Sequence, residues 1–328
     1  MSAPSPLRVT VAVPTFRRPD DLRALLPMLL AQAEAVTAAG PYQADVLVVD
    51  NDPAASGRPV VDACSTPALR YVVEPEPGIP AVRNRALDEC AGSRLLAFID
   101  DDERPGERWL ELLLETWAGS GRPAAVVGRV VAEFAGTPDP WIAAGGFFLR
   151  FSRPTGTEVD VAATGNLLLD LHQVRAIDLR FEAALRLGGG EDNLFSRSLA
   201  AAGGRMVWCD EAVAVDQVPV ERLTRRWVMT RSWGQGNADV LTELRLADGL
   251  VARWQVRARG TVRGLVRIAA GGLRWAGGWG SRSLRHEVRG LRTFLRGAGM
   301  VGAALGVVFE EYAREGGRRW RLSLRGAP

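Results

Sequence analysis

Three consecutive aspartates, followed by a glutamate, close an apolar run at Phe98-Ile99-Asp100-Asp101-Asp102-Glu103. Leu95 to Ile99 shows no polar alternation, which predicts a short strand buried on both faces, as in a parallel sheet. Carboxylates at its end stand at the carboxyl edge of the sheet, where open α/β folds bind ligands. Such hard oxygen donors suit Mg2+ or Mn2+ and, through the ion, a diphosphate. In an extended chain side chains alternate, so Asp100 and Asp102 are expected to share a face while Asp101 turns away. The same run also reads as a solvated acidic turn, and its setting must decide. Asp50-Asn51-Asp52 forms a second acidic group after Val46-Leu47-Val48-Val49. Glu191-Asp192 forms a third, opening a helical stretch over 193–202 in which Leu194, Phe195, Ser198 and Leu199 fall on neighbouring turns. An acidic pair at a helix start is also an ordinary cap favoured by the helix dipole.

The elements that must position these groups alternate in type. Leu7 to Val13 is a β-rich run ending at Pro14-Thr15. Asp20 or Asp21 is placed to cap a helix with apolar positions at Leu22, Leu25, Leu26 and Leu29. Strands follow at Val46–Val49, Leu69–Val73, Leu95–Ile99 and Ala124–Val131, with helices at Gly78–Cys90 and Trp109–Trp117. This alternation predicts an α/β fold with a doubly wound, mainly parallel sheet. Thr15, Asp50 to Asp52 and Asp100 to Asp102 then recur at strand carboxyl ends, and three such ends make a site. Residues 132–220 are less regular, punctuated by Gly145-Gly146, Thr164-Gly165-Asn166 and Gly188-Gly189-Gly190.

Composition sets the bounds. With 328 residues and 47% hydrophobic content, the chain has material for one large or two modest domains and is not globally disordered. Cys64, Cys90 and Cys209 lie far apart, which points neither to a zinc site nor to a disulfide framework. Ala3-Pro4-Ser5-Pro6 leads directly into the first strand, unlike an export signal, and a cytoplasmic protein is expected. The net charge of +3 hides an asymmetry: residues 250–328 hold 16 arginines against 4 acidic residues, while residues 1–249 are acidic on balance. There is no lysine in the chain.

Taken in order, Val13-Pro14-Thr15-Phe16, Val49-Asp50-Asn51-Asp52, Gly78-Ile79-Pro80-Ala81-Val82-Arg83-Asn84, Phe98-Ile99-Asp100-Asp101-Asp102 and Gly190-Glu191-Asp192 resemble the family 2 glycosyltransferases of GT-A fold. Val218-Pro219-Val220-Glu221-Arg222-Leu223-Thr224 looks like a segment common in bacterial members. The resemblance covers roughly residues 7–235. It implies an inverting transfer from a nucleoside-diphosphate sugar, usually UDP-linked, with Mg2+ or Mn2+ as cofactor. It places the nucleoside at Pro14, Thr15 and the Asp50–Asp52 group, with Asn51 or Asp52 facing the uracil. Arg83 is expected to offer a planar fork to ribose or phosphate, and Asn84 to secure a local turn. By resemblance Asp102 is the metal ligand, and Asp100 or Asp101 the ribose contact, with Asp100 also a candidate for the metal. Asp192 is the expected catalytic base, with Glu191 as its alternate or as an orienter of the acceptor. Thr164-Gly165-Asn166 falls where the family has a small-residue turn beside the donor sugar. One position departs from the pattern: many metal-dependent members carry a His before the Val-Pro tract, and here Asp216 stands there, an oxygen donor that still suits a hard cation. His172 and His286 match no family position.

The implied organisation is a catalytic domain over 1–249, with a nucleotide-sugar half at 7–131 and an acceptor half at 132–249, followed by a helical, arginine-rich region over 250–328. Within 282–296, Arg282, Arg285, Arg289, Arg292 and Arg296 follow helical spacing beside an apolar stripe, and residues 259–274 repeat the theme. This reads either as a pair of helices lying on an anionic membrane, at its inner face, or as a helical cap with solvated arginines. Gly297 to Phe309 is too short to span a bilayer. No nucleic-acid-binding module accompanies the charge. The expected acceptor is a lipid-linked glycan or a small natural product. A sugar-phosphate nucleotidyltransferase would favour a glycine-rich loop after the first strand, which Pro14-Thr15-Phe16 does not supply. A catalytically degenerate nucleotide-sugar-binding protein is the remaining alternative.

Overall fold

A computed structural model describes residues 5–185, 189–309 and 320–322, so Gly188 of the glycine run lies outside the described residues. In chain order the elements are β1 (Leu7–Thr15), α1 (Pro19–Ala39), β2 (Tyr42–Asp50), α2 (Arg58–Cys64), β3 (Leu69–Val73), α3 (Ile79–Glu89), β4 (Leu95–Ile99), β5 (Glu103–Pro105), α4 (Trp109–Gly119) and β6 (Ala125–Phe134). There follow α5 (Pro140–Gly145), β7 (Asn166–Asp170), α6 (Leu171–Ala176), α7 (Glu191–Ala201), β8 (Met206–Val218), α8 (Arg225–Leu246), α9 (Gly249–Gly280), α10 (Leu284–Ala304), β9 (Val307–Phe309) and β10 (Trp320–Leu322). The chain forms two compact units. The first is built from residues 1–133, 150–183 and 195–217, and the second from 134–149, 184–194 and 218–328. The change of charge near residue 250 is therefore not where the units divide, because α8 packs in the same apolar cluster as α10 through Val240, Met300 and Ala303.

The first unit carries an eight-stranded sheet in the order β3-β2-β1-β4-β7-β6-β8-β5. β1 pairs in parallel with both β2 and β4, and β2 with β3. Beyond β4 the sheet changes character, since β7 is antiparallel to both β4 and β6, and β5 to β8. The doubly wound parallel arrangement thus holds for residues 7–99 and gives way to a mixed sheet. Apolar runs report burial on two faces and carry no information on direction, which the connections set: helices α1 to α3 cross over between the parallel strands, as such pairing requires. Alternate residues feed two cores. Val9, Val11 and Val13 pack with Val46, Val48 and the buried faces of α1 and α4, while Ala12, Leu47, Val49 and Phe98 pack with Val82 and Ala86 of α3.

α1 opens at Pro19 with Arg18 in the cap position, and Asp20 and Asp21 lie in its first turn rather than capping it. The helix is apolar and long enough to cross a membrane by length and composition alone. Its Leu22, Leu25, Leu26 and Leu29 are nonetheless fully buried against the sheet, each contributing roughly 1.5–3 kcal/mol.

In the second unit, α9 and α10 pack backbone to backbone along glycines. A Cβ on Gly264 would come within 2.8 Å of the Gly297 carbonyl oxygen, one on Gly271 within 2.4 Å of Phe294 N, and one on Gly278 within 2.2 Å of Glu287 N. The seven-residue spacing of these three glycines keeps them on one side of α9. The arginines expected to line α10's lipid-facing stripe are partly used inside the unit instead: Arg292 donates to the Gly145 and Gly146 carbonyls, and Arg296 to Asp239. Two substitutions separate seam from surface. Gly271→Ala should lower the thermal midpoint, because overpacking of about 1–3 kcal/mol exceeds the gain in helix propensity. Gly277→Ala meets nothing within 4 Å and should raise stability by up to about 1 kcal/mol. Equal midpoints for the two variants in a thermal melt would contradict the packing described.

Candidate active site

The strand β4 lies at the switch point of the sheet, parallel to one neighbour and antiparallel to the other, and the three aspartates follow it directly. The chain does not remain extended there. Glu103 N–H donates to the Asp100 carbonyl at 3.1 Å, closing a turn over the triplet. The expected alternation is corrected accordingly. Asp101 and Asp102 share one partner, Arg18, whose Nη1 is 2.7 Å from Asp101 Oδ1 and 2.9 Å from Asp102 Oδ2. Asp100 is directed elsewhere, with its Oδ1 3.7 Å from Arg83 Nη2. Thr15 Oγ1, at the end of β1, donates to Asp101 Oδ2 at 2.7 Å. Burial pushes the Asp101 carboxyl up to about 6, with Asp102 adding to the effect and Arg18 opposing it.

Glu103 and Asp216 face each other across the antiparallel β5–β8 pair. Glu103 is fully enclosed, and burial, reinforced by the charges of Asp100, Asp102 and Asp216, holds its carboxyl well above the ordinary range. Asp216 Oδ2 accepts from Arg150 Nη2 at 3.1 Å. Gly165 fits against this group only because it has no side chain: a Cβ there would lie 2.8 Å from Asp100 Oδ2 and 2.9 Å from Glu103 Oε1. Asn166 is a rivet in the sheet. It accepts from Trp109 Nε1 at 2.8 Å and donates to the Arg129 and Ala212 carbonyls.

At the end of β2, Asp50 is buried and accepts from Tyr71 Oη, Gly57 N–H and Asp52 N–H. Asn51 spends its amide on the following loop, with both donor bonds going to the Glu74 and Glu76 carbonyls at 2.7 Å and its oxygen accepting from Gly78 N–H. Both side-chain donors of Asn51 thus brace this loop. Asp52 accepts from Arg17 Nε at 3.3 Å and from Ala54 N–H. Burial raises its pKa, but the Ala54 and Arg17 bonds together with the Arg17 charge outweigh burial and leave the carboxyl below its ordinary value. Arg83 is no surface arginine: it is buried on α3, with its guanidinium 5.6 Å from the Phe181 ring centre. Asn84 holds Phe181 by reciprocal bonds of 2.8 and 2.9 Å to its backbone, a contact much longer in range than the local turn expected.

The first unit therefore carries Pro14, Thr15, Asp52, Asp100, Asp101, Asp102 and Asp216 on strands and the loops that follow them, and Arg83 on α3. Reading the sequence alone passed over Arg17, Arg18, Glu103 and Arg150, although the basic pair directly after Pro14-Thr15-Phe16 is a signal that a strand-end acidic cluster has a counter-charge. For a metal, the donor set has the right chemistry. Among the described residues no three His, Cys, Asp or Glu side chains group closely enough to cage an ion alone. Mg2+ and its relatives need only one or two carboxylates when substrate phosphates complete the shell.

Glu191 and Asp192 belong to the second unit, at the start of α7. Gly189 and Gly190 precede them with φ of 71° and 87°, a left-handed pair that favours glycine. Gly190 also packs closely, with its Cβ position 3.3 Å from Thr242 Oγ1. Glu191 is buried, and Asp192 is half-buried and thus the more accessible of the two.

Comparison with known proteins fixes the family. Residues 10–170 match the family described as Glycosyl transferase family 2. The succinoglycan biosynthesis protein ExoM of Rhizobium meliloti is 32% identical over 272 residues, covering 80% of this chain and 84% of its own length. The chain belongs to glycosyltransferase family 2. Glycosyltransferase AglE of Haloferax volcanii is 28% identical over 116 residues, 34% of this chain and 36% of AglE. The crystal structure of S. aureus TarS 1–349 in complex with UDP shares the GT-A fold at a TM-score of 0.50 and 16% identity, covering 96% of this chain and 99% of that one.

In this glycosyltransferase the enclosed Glu103 gives a pH signature. Its folded-state pKa lies above the unfolded value, so its contribution to stability is complete below about pH 4.3 and is lost as pH rises toward the folded pKa. Glu103→Gln, melted in the presence of EDTA, should therefore gain on wild type as pH rises from 4 to 8, by up to about 1.4 kcal/mol per pH unit. A difference that stays flat across that range would count against the burial and crowding of Glu103.

Proposed function

We propose that this glycosyltransferase moves a sugar from a UDP-sugar to a hydroxyl of a growing glycan, with inversion at the anomeric carbon. The observation that carries the reading is the Asp100–Asp102 turn at the switch-point strand, set beside Thr15 and Asp52 at the neighbouring strand ends. UDP is named because TarS, which shares the fold, is seen with UDP. A glycan acceptor is named because ExoM, the relative with extensive coverage, is described by succinoglycan biosynthesis.

In this mechanism Asp52 and the backbone at Pro14 and Thr15 orient the nucleoside, and Asp100 or Asp101 holds the ribose. Arg83, already turned toward Asp100, supplies a fixed guanidinium for ribose or phosphate oxygens. Asp102, together with Asp100 or Asp216, would hold Mg2+ or Mn2+. That ion, when bound, supplies positive charge against the leaving diphosphate. Asp192 is assigned as general base from its place in Gly190-Glu191-Asp192. Its carboxylate accepts the acceptor hydroxyl proton as that oxygen bonds to the anomeric carbon, on the face opposite the breaking bond to the diphosphate. UDP departs with the bonding pair, so no covalent sugar–enzyme intermediate is required.

Two variants test the assignment by UDP release from a panel of UDP-sugars with Mn2+. Asp102→Ala should abolish turnover and remove the Mn2+ dependence of UDP-sugar affinity, whereas unchanged Mn2+-dependent affinity would refute the metal assignment. Asp192→Asn should retain donor affinity while turnover drops by roughly 100-fold or more. Near-normal turnover in that variant would move the base to Glu191.

A further inference from the structure

Helix α9 has a surface that the sugar-transfer reading does not use. It runs for 32 residues, about 48 Å. Its glycines Gly260, Gly264, Gly271 and Gly278 are buried along one side. At about 100° per residue, Val251, Trp254, Val262, Leu265, Val266 and Leu273 fall on the opposite side. These six are between 54% and 77% exposed. Trp275 and Trp279 near the end of the helix are exposed as well. Arg259, Arg267 and Arg274 occupy the flank between the two sides, together with Arg263, which pairs with Glu243 of α8, and the helix holds six arginines and no acidic residue.

We propose that α9 lies in the headgroup plane of an anionic lipid bilayer, with its Val251–Leu273 stripe in the acyl boundary and its arginine flank on the phosphates. Each part of the surface fits that partner. An apolar stripe beside a row of arginines, with tryptophans at one end, is the composition of a helix that lies in an interface. The same face on a second copy of the chain would bring two acid-free, arginine-bearing helices together, and like charge opposes that contact. The helix lies on the bilayer rather than across it, because arginines recur along its whole length; among the described residues only α1 has the length and composition to span. The glycine seam gives the surface its support. α10 packs directly against the backbone of α9 along these glycines, and the outer face of α9 remains exposed.

The inference is independent of the carboxylate site, so a failure in one leaves the other standing. The test is co-sedimentation of the full chain with vesicles of phosphatidylglycerol and phosphatidylcholine, and with phosphatidylcholine alone, at low and physiological salt. The expected result is binding that requires phosphatidylglycerol and weakens with salt. Arg259→Gln with Arg274→Gln should lower partitioning on the order of thirtyfold. Val262→Gln, Val266→Gln and Leu273→Gln together should lower it by roughly a hundredfold, with the thermal midpoint and UDP release unchanged because the glycine seam is untouched. Absence of sedimentation with anionic vesicles would overturn the proposal. So would undiminished sedimentation of the triple variant. A lipid-free dimer that the triple variant dissociates, with no vesicle binding by wild type, would assign the face to a second copy instead and equally overturn it.

Discussion

Much of the first unit is organised around one electrostatic problem: the charges of Asp100, Asp102 and Asp216 converge on the buried Glu103, where the turn after β4 leads into β5 and β5 pairs with β8. Buried like charges are tolerated only when neutralised or paired. Three arginines from distant parts of the chain do the pairing, Arg18 with Asp102 and its neighbour Asp101, Arg83 with Asp100, and Arg150 with Asp216. The enclosed Glu103 is held toward its protonated form. Other features follow from the need to keep this group together. Gly165 yields its side-chain volume to two carboxylates, and Thr15 fixes Asp101 from the adjacent strand.

The positions of strands and helices in the first half of the chain were legible because burial on two faces leaves an uninterrupted apolar run, as in Leu95–Ile99 and Val46–Val49. Strand direction was not legible, since β7 is as fully buried as β4 and pairs with it in the opposite sense. At the site, the identity of the acidic residues could be read and their geometry could not. Asp101 and Arg18 are separated by 83 positions, and nothing local in either segment announces the contact. The alternation expected of Asp100–Asp102 failed because it assumes an extended chain, and the bond from Glu103 N–H to the Asp100 carbonyl bends the backbone at that point.

Asn51 and Asn84 show a related limit. Both stand in segments that resemble family motifs, with a ligand role expected of Asn51 and a local turn of Asn84, and each spends its amide on backbone groups that shape a loop or hold a distant segment. An amide side chain offers two donors and a carbonyl oxygen, and it serves equally well as a surrogate for missing backbone partners. Motif position alone does not distinguish the two uses; counting hydrogen bonds does.

The choice of arginine as counter-charge shapes how the site answers to its surroundings. A guanidinium keeps its proton at any pH the protein meets, the chain has no lysine, and its two histidines sit in other elements, His172 on α6 and His286 on α10. The positive side of every pair around the carboxylates is therefore constant. Titration within the group is left to the acids alone: acidification neutralises the ordinary carboxylates, and rising pH adds a charge at Glu103 that no arginine proton offsets.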